Sequence, residues 1–342
     1  MMRRLAIPLL LFSCLAGAPA RAADAALIAA AKKDGIVVWY TTQIVDQFAR
    51  PAARAFEQKY PGMKVVVSRT NATTAALKIL NENRAGKNQA DVFDGTTTVV
   101  PLKRAGFVLK WLPDAAKDYP AAYKDPEGYW IATNIYVLTP AFNTSLVRPG
   151  TEPRNLQALA DPKWRGKMAW ASSLSSSAAV GFIGTVVTEM GEQRGIAYLK
   201  QLQGQRIASL NGSARQVLDQ VIAGEYPIAL QIFNHHAVIS GKQGAPVRWI
   251  PMEPATGLLS VVSIPRNAPH PNAAKLFEDF LVSKDGQRLY QSTEYLPADP
   301  AVQALDPSLK PEDGKFRSRF FTPEETAAQM PRWKKIYDEL FR

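Results

Sequence analysis

The sequence predicts an α/β protein built as two lobes, each with a mixed, mostly parallel sheet flanked by helices. Short β-branched or aromatic runs alternate with stretches of helical period, which is the pattern of strands joined by helices. A proline- and charge-rich segment, 148–167, interrupts this pattern, which then begins again. About 320 residues follow an N-terminal leader, a length that usually forms two units rather than one.

The leader has the composition of a secretory signal peptide, 1–22. Arg3 and Arg4 precede an apolar run, Leu5 to Leu15, and small residues end in Ala20-Arg21-Ala22. This is the A-x-A shape that a signal peptidase cuts, and the apolar run is too short to span a membrane. We therefore expect cleavage near Ala22 and a periplasmic location. A lipoprotein-like site ending at Cys14 is the alternative.

Cleavage would remove the one cysteine, so the remaining chain would offer no thiol nucleophile, thiolate metal ligand or disulfide. Of 41 basic residues, three lie in the leader, which leaves 38 against 30 acidic residues and a net charge of +8. The basic residues are scattered without a nucleic-acid motif. We read them as a solvated surface with a mild preference for anionic ligands, and we expect no nucleic-acid partner.

In the first part of the chain, three short strands each end in a polar turn. The strands are predicted at 36–40, 64–67 and 91–93, and their turns at 41–43, 68–74 and 95–98. Helices are predicted between them, one carrying Phe48, Ala52, Phe56 and Tyr60 on one face. Ligands of such sheets bind beyond the carboxyl ends of the strands, where helix N-termini also favour anions.

The second part repeats the arrangement after a long extended stretch at 130–142. Strands or extended runs are predicted at 168–171, 228–233 and 258–264, and helices at 178–190, 216–223 and 273–281. A turn of serines and one leucine, 172–177, follows the first of these strands. Near the end, Thr322-Pro323-Glu324-Glu325 has the signature of a capped helix start.

The candidate ligand site consists of polar residues in these turns and in the segment after 228–233. The predicted ligand-binding residues are Thr41, Thr42, Gln43, Arg69, Thr70, Asn71, Thr96, Thr97, Ser173, Ser175, Ser176, Asn234, His235 and His236. The planar guanidinium of Arg69 suits a carboxylate or phosphate. The alternatives are a surface arginine and hydroxyls that only cap helices.

The adjacent pair His235-His236 permits three interpretations. It is a metal-binding pair, a hydrogen-bonding pair for a small ligand, or the start of a helix. A structural metal would need four ligands, and the sequence shows no others at recognisable spacing. We therefore favour no metal site, although these two histidines would be its ligands if a metal binds.

The order of segments resembles the periplasmic substrate-binding proteins of ABC importers, in the extracellular solute-binding family that includes the ferric-ion binders. The segments that carry the resemblance are VVWYTTQ, QADVFDGTTT, FNTSLV, DPKWRGKMAW, VIAGEYPIAL and PHPNAAKLFEDFLVSKDGQ. It implies a type II binding-protein fold with the ligand held between the lobes, a monomer, and a permease partner in the inner membrane. Lobe 1 would comprise 23–138 with 258–300, and lobe 2 would comprise 139–257 with 301–342.

The same resemblance makes the histidines informative. Ferric binders of this group carry two adjacent tyrosines where this chain has His235-His236, and they add a His or carboxylate from the first lobe. This chain offers Thr41, Thr42 and Gln43 there, and imidazole suits Zn, Cu or Ni better than Fe(III).

The sequence thus predicts a binding protein without enzymatic activity or cofactor. The expected ligand is a small anion, such as a phosphonate, a phosphate ester or a carboxylate. A ferric or other metal ion is the alternative. An exported serine hydrolase is more remote, because the chain has no G-x-S-x-G, S-x-x-K or H-E-x-x-H motif that would fit one.

Overall fold

The computed structural model describes residues 25–342, so the predicted signal peptide lies outside the described residues. The strands within this range are β1 (Ile36–Thr41), β2 (Lys64–Arg69), β3 (Val92–Gly95), β4 (Ile131–Asn143), β5 (Met168–Ala171), β6 (Ala208–Leu210), β7 (Ile228–Phe233), β8 (Val247–Trp249), β9 (Ala255–Ser263), β10 (Leu296–Pro297) and β11 (Ser318–Phe321).

The helices connect these strands and pack against them. They are α1 (Ala25–Asp34), α2 (Arg50–Lys59), α3 (Ala72–Arg84), α4 (Val99–Arg104), α5 (Leu156–Leu159), α6 (Ala179–Met190), α7 (Glu192–Gln203), α8 (Ala214–Ala223), α9 (Asn234–Lys242), α10 (Pro271–Val282), α11 (Lys284–Ser292), α12 (Pro311–Gly314) and α13 (Pro323–Leu340). A π-helical turn, Val45–Ala49, leads into α2.

The strands form one continuous, mixed sheet in the order β2-β1-β3-β9-β4-β7-β5-β6. Its two ends are parallel, because β1 pairs with β2 and β3 in one half and β5 pairs with β6 and β7 in the other. The long strands β4 and β9 pair antiparallel in the middle and connect the halves. The fold is therefore the predicted two-lobed α/β arrangement, with crossing strands between the lobes.

Separate apolar cores stabilise the two halves. In the first half, Trp39 contacts Phe277 of α10 with ring centroids 5.1 Å apart, and Phe48 stacks on Tyr290 at 3.8 Å. In the second half, Trp170 contacts Phe341 at 4.8 Å. Buried aromatic side chains such as Trp39 and Trp170 each remove a large apolar area from water.

The chain after the predicted lobe boundary at residue 300 packs first in one core and then in the other. Ala304, Leu309 and Phe316 still pack in the first core, whereas Phe321 and Trp333 pack in the second. The chain returns to the second half with β11, which pairs in parallel with the start of β9. This pairing also explains why β9 begins at Ala255, earlier than the apolar run at 258 suggests.

Local signals in the sequence set several helix boundaries. The side chain of Asn71 accepts a hydrogen bond from the Thr74 N–H and caps α3, and Thr322 with Glu325 forms a capping box at α13. Gly224 ends α8 in the left-handed conformation that favours glycine. Among the described residues, no helix has both the length and the apolar character needed to cross a bilayer.

Candidate functional site

A cleft of about 500 Å³ opens between the two halves of the molecule. Residues of both halves and of the crossing strands line it. They are Thr42, Arg69, Thr70, Asn71, Ala72, Thr96, Tyr136, Ser175, Ser176, Ser177, Phe233 and Leu258. This volume lies in the range of pockets that hold small organic ligands.

The first wall is the end of β2 and the start of α3. Arg69 is the last residue of the strand, and Asn71 caps the helix. The first N–H groups of a helix have no partner within it and carry a partial positive charge. Arg69 is exposed, and the ion pairs of the described residues involve other arginines. This wall therefore presents a free cation beside a helix N-terminus.

The opposite wall is the serine turn before α6. The hydroxyl of Ser175 lies 3.2 Å from that of Ser173 and 3.1 Å from that of Ser177. The residue that precedes α6, Ala178, has no capping side chain. Ser175, Ser176 and Ser177 line the cleft on this side, directly before the N-terminus of α6, and their hydroxyls can donate hydrogen bonds to an anion.

A glycine in α6, Gly181, allows the serine turn to lie close to the helix. A Cβ atom placed on Gly181 would lie 1.7 Å from the carbonyl oxygen of Ser176, far inside van der Waals contact. The amide nitrogen of the buried Gln231 side chain lies beside the same place and has no hydrogen-bond partner. The approach of the serine turn to α6 thus requires a residue without a side chain.

Aromatic residues of β4 and β7 provide part of the apolar lining. Tyr136 of β4 and Phe233 of β7 lie with ring centroids 5.1 Å apart. Burial raises the pKa of the Tyr136 phenol well above its ordinary value, and nearby Tyr295 raises it further, so the phenol is neutral. Leu258 of β9 completes this apolar surface.

Thr41 and Thr42 are bound to a buried carboxylate, Asp94 at the end of β3. The Thr42 N–H donates to Asp94 Oδ1 at 2.8 Å, the Thr42 hydroxyl donates to the same oxygen at 2.6 Å, and the Thr41 hydroxyl donates to Oδ2. Burial raises the pKa of Asp94 and the hydrogen bonds from Thr41 and Thr42 oppose this effect. Thr42 reaches the cleft, whereas Thr41 is buried behind it.

Gln43 lies in the interior between the crossing strands. Its Nε2 donates to Asn134 Oδ1 of β4 at 3.0 Å and to Ser260 Oγ of β9 at 3.2 Å. The Gln43 side chain therefore connects the first lobe to the strands that join the lobes, and it does not line the cleft.

His235 and His236 begin α9 and lie next to the cleft without lining it. The ring of His235 is 5.7 Å from that of Phe233, and the ring of His236 is 5.2 Å from it. Burial lowers the pKa of His235 well below 6.5, with a further lowering by His236. Burial and then the charge of Arg215 lower the pKa of His236 to about 4. Both imidazoles are therefore neutral at pH 7.

The polar contacts of this segment point inward. The Asn234 amide donates to the Leu309 carbonyl at 2.9 Å and accepts from the His235 N–H. The Nδ1 atoms of His235 and His236 have no hydrogen-bond partner. Within residues 25–342, no group of three or more His, Cys, Asp or Glu side chains is arranged to hold a metal ion.

Half of the fourteen predicted site residues meet in one cleft. They are Thr42, Arg69, Thr70, Asn71, Thr96, Ser175 and Ser176. The cleft lining does not include Thr41, Gln43, Thr97, Ser173, Asn234, His235 or His236.

Sequence reasoning did not identify Tyr136, Phe233 or Asp94 as parts of the site. Tyr136 and Phe233 lie inside predicted strands and look like core residues in the sequence. Asp94 follows the apolar pair Val92-Phe93 and precedes the threonine turn. An acidic residue at a buried strand end beside hydroxyls was the available signal.

Comparison with known proteins agrees with this architecture. Residues 36–295 match the family model described as a bacterial extracellular solute-binding protein. An uncharacterised protein of Haemophilus influenzae is 25% identical over 331 residues, which cover 91% of this chain and 93% of that protein.

Two solved structures are similar along most of the chain. The periplasmic binding protein AfuA of Actinobacillus pleuropneumoniae, solved with fructose 6-phosphate, is 25% identical with a TM-score of 0.68, over 90% of this chain and 98% of AfuA. Iron-bound HitA of Pseudomonas aeruginosa is 21% identical with a TM-score of 0.74, over 90% of this chain and 99% of HitA. The chain belongs to the bacterial extracellular solute-binding proteins.

Proposed function

We propose that this protein captures a small anion, best a phosphate ester or phosphonate, in the cleft between its lobes and delivers it to an inner-membrane permease. The observation that carries the proposal is the position of Arg69. It is a cation without a carboxylate partner among the described residues, at the N-terminus of α3, and the serine turn of α6 faces it across the cleft.

The groups around the cleft match the oxygens of a phosphoryl group. A guanidinium can bind two of them in parallel, and the hydroxyls of Thr70, Ser175 and Ser176 with helix N–H groups can bind the others. Within the described part of the chain, no carboxylate lines the cleft. The similarity to AfuA with fructose 6-phosphate supports a ligand of this class.

A metal ion as cargo is the second candidate, and the similarity to iron-bound HitA is the observation that favours it. The donor set argues against it. The cleft offers hydroxyls, a guanidinium and the neutral phenol of Tyr136, and the guanidinium repels a cation. The histidines that would bind a softer metal lie outside the lining.

A binding screen with purified protein lacking residues 1–22 tests the proposal. Thermal shifts and isothermal titration would be measured with fructose 6-phosphate, glycerol 3-phosphate, 2-aminoethylphosphonate, citrate, ferric citrate and zinc chloride. One-site binding at about 100 times Kd stabilises a protein by about 2.7 kcal/mol, which is readily measured. We expect a shift and 1:1 binding with at least one phosphate ester or phosphonate.

Two results would contradict the proposal. A shift with metals alone would favour metal transport. Release of phosphate from the bound ester during the titration would indicate a hydrolase, the remote alternative, rather than a binding protein.

A further inference from the structure

The hydroxyl of Thr42 already donates its one hydrogen bond within the protein. It donates to Asp94 Oδ1 at 2.6 Å, and that oxygen also accepts the Thr42 N–H at 2.8 Å. The Thr41 hydroxyl donates to the other oxygen, Oδ2. Three donors on one buried carboxylate fit its ionised form, which can accept all of them and donate none.

This geometry fixes what Thr42 can offer to a ligand. A hydroxyl has one proton and two lone pairs, and its proton here is bound by Asp94. Thr42 is one of the residues that line the cleft, and a bound molecule that reaches its hydroxyl oxygen would meet only lone pairs. The position is thus a hydrogen-bond acceptor in a cleft whose other polar groups are mainly donors.

The acceptor lies close to the proposed anion site. Thr41 is the register partner of Arg69 in the parallel pair β1–β2, and the Thr70 N–H donates to the Thr41 carbonyl at 2.9 Å. Thr42 therefore follows Thr41 beside Thr70, about one strand spacing of 4.8 Å away at the backbone. A small ligand can contact both places at once.

We propose that Thr42 is a specificity-determining residue that accepts a hydrogen bond from a hydroxyl or amino group of the ligand, with Asp94 as its positioning residue. This inference rests on the proposed function and narrows it to phosphate esters or phosphonates that carry a hydrogen-bond donor near the phosphoryl group. An alkyl phosphate without such a group would leave the Thr42 oxygen without a partner, which lowers affinity.

The test compares glycerol 3-phosphate with n-propyl phosphate, which has the same chain length but lacks the hydroxyls. Wild-type protein should bind glycerol 3-phosphate about tenfold more tightly, the effect of one neutral hydrogen bond. Thr42→Val should lose this preference because it weakens the binding of glycerol 3-phosphate alone. Thr42→Ser should keep the preference. Thr151→Val, at an exposed threonine whose hydroxyl donates to the Arg148 carbonyl, should behave as wild type.

The outcomes separate the two proposals. Equal wild-type affinities for the two probes would overturn the role of Thr42 and leave the proposed function standing. An equal weakening of both probes by Thr42→Val would also overturn that role. The wild-type comparison needs no variant, so it tests the role of Thr42 even if Thr42→Val is unstable. If no phosphate ester or phosphonate binds at all, both proposals fail.

Discussion

Arg69 is the register partner of Thr41 across the parallel strands β1 and β2, at the sheet edge where the cleft opens. The pairing brings together the free guanidinium of Arg69 and two threonines, Thr41 and Thr42. Both threonine hydroxyls donate hydrogen bonds to the buried carboxylate of Asp94. The same strand ends therefore offer a cation and, at Thr42, an acceptor. This combination suits a ligand with an anionic end and a hydrogen-donating end.

Replacing Arg69 should weaken anion binding. A charge-assisted hydrogen bond contributes about 1.5–3 kcal/mol, so Arg69→Gln should raise the Kd of a bound phosphate ester roughly 10- to 100-fold. Arg69→Lys should fall between, because an ammonium keeps the charge but not the planar fork. Arg84→Gln, at the last residue of α3, whose N-terminus lies beside Arg69, is the matched control for net charge. Equal effects of Arg69→Gln and Arg84→Gln in titration calorimetry would exclude a local role for Arg69.

Gly181→Ala should disrupt the serine turn. The new methyl would lie 1.7 Å from the Ser176 carbonyl oxygen, so the turn or the first turn of α6 must move. Forcing extra volume into a packed site costs about 1–3 kcal/mol, and we expect a lower denaturation midpoint in urea. The affinity for the phosphate ester should fall too, since Ser175 and Ser176 line the cleft. A variant with wild-type stability and affinity would show that the turn is not held by this contact.

The repeating pattern of the sequence was sufficient to predict the α/β fold and several element bounds. Strands β5 and β7 occupy the predicted ranges, 168–171 and 228–233, because β-branched, aromatic and small apolar residues end there at polar turns. The position of Arg69, Thr70 and the serine turn at one cleft could be predicted for a related reason. Strand ends and helix starts of such a sheet converge on one edge.

The direction of individual side chains could not be predicted in this way. Thr41, Thr42 and Gln43 are consecutive, and both threonines bind the buried Asp94, yet only Thr42 reaches the cleft. The Gln43 side chain instead contacts the crossing strands. The environment of His235 depends equally on long-range packing against Tyr136 and Tyr295. Such contacts join residues from distant segments, and no local pattern in the sequence indicates which of them meet.

The buried histidines should make stability depend on pH. The unfolded pKa is about 6.5 and that of folded His236 is about 4, so between these values the unfolded chain binds a proton that the folded protein does not. The contribution is complete above pH 6.5 and is lost as the pH falls towards 4, by at most about 1.4 kcal/mol per pH unit. Urea denaturation of His236→Gln should show a smaller decrease in stability between pH 7 and 5 than wild type.

The comparison between wild type and His236→Gln isolates the effect of His236 on the pH dependence of stability. Buried carboxyls with raised pKa values, such as Asp94 and Glu278, act with the opposite sign but are present in both. The charges nearest His236, Arg215 and Asp219, are also shared. Parallel stability curves for the two proteins would mean that His236 is protonated or exposed in the folded state. Affinity for the phosphate ester at pH 7.5 should change by no more than about twofold.

Gln43→Ala should destabilise the protein more than it affects ligand binding. The change removes two hydrogen bonds, to Asn134 and Ser260, and leaves these buried groups of the crossing strands with fewer partners, which costs about 1–3 kcal/mol. Gln47→Ala is the matched control. It removes one hydrogen bond, which the Gln47 side-chain amide donates to the Thr293 carbonyl from a half-buried position. Chemical denaturation should rank the two losses in that order. Because Gln43 does not line the cleft, the Kd of the Gln43→Ala variant for the phosphate ester should stay within about twofold of wild type. A loss of binding at unchanged stability would instead place Gln43 in contact with the ligand.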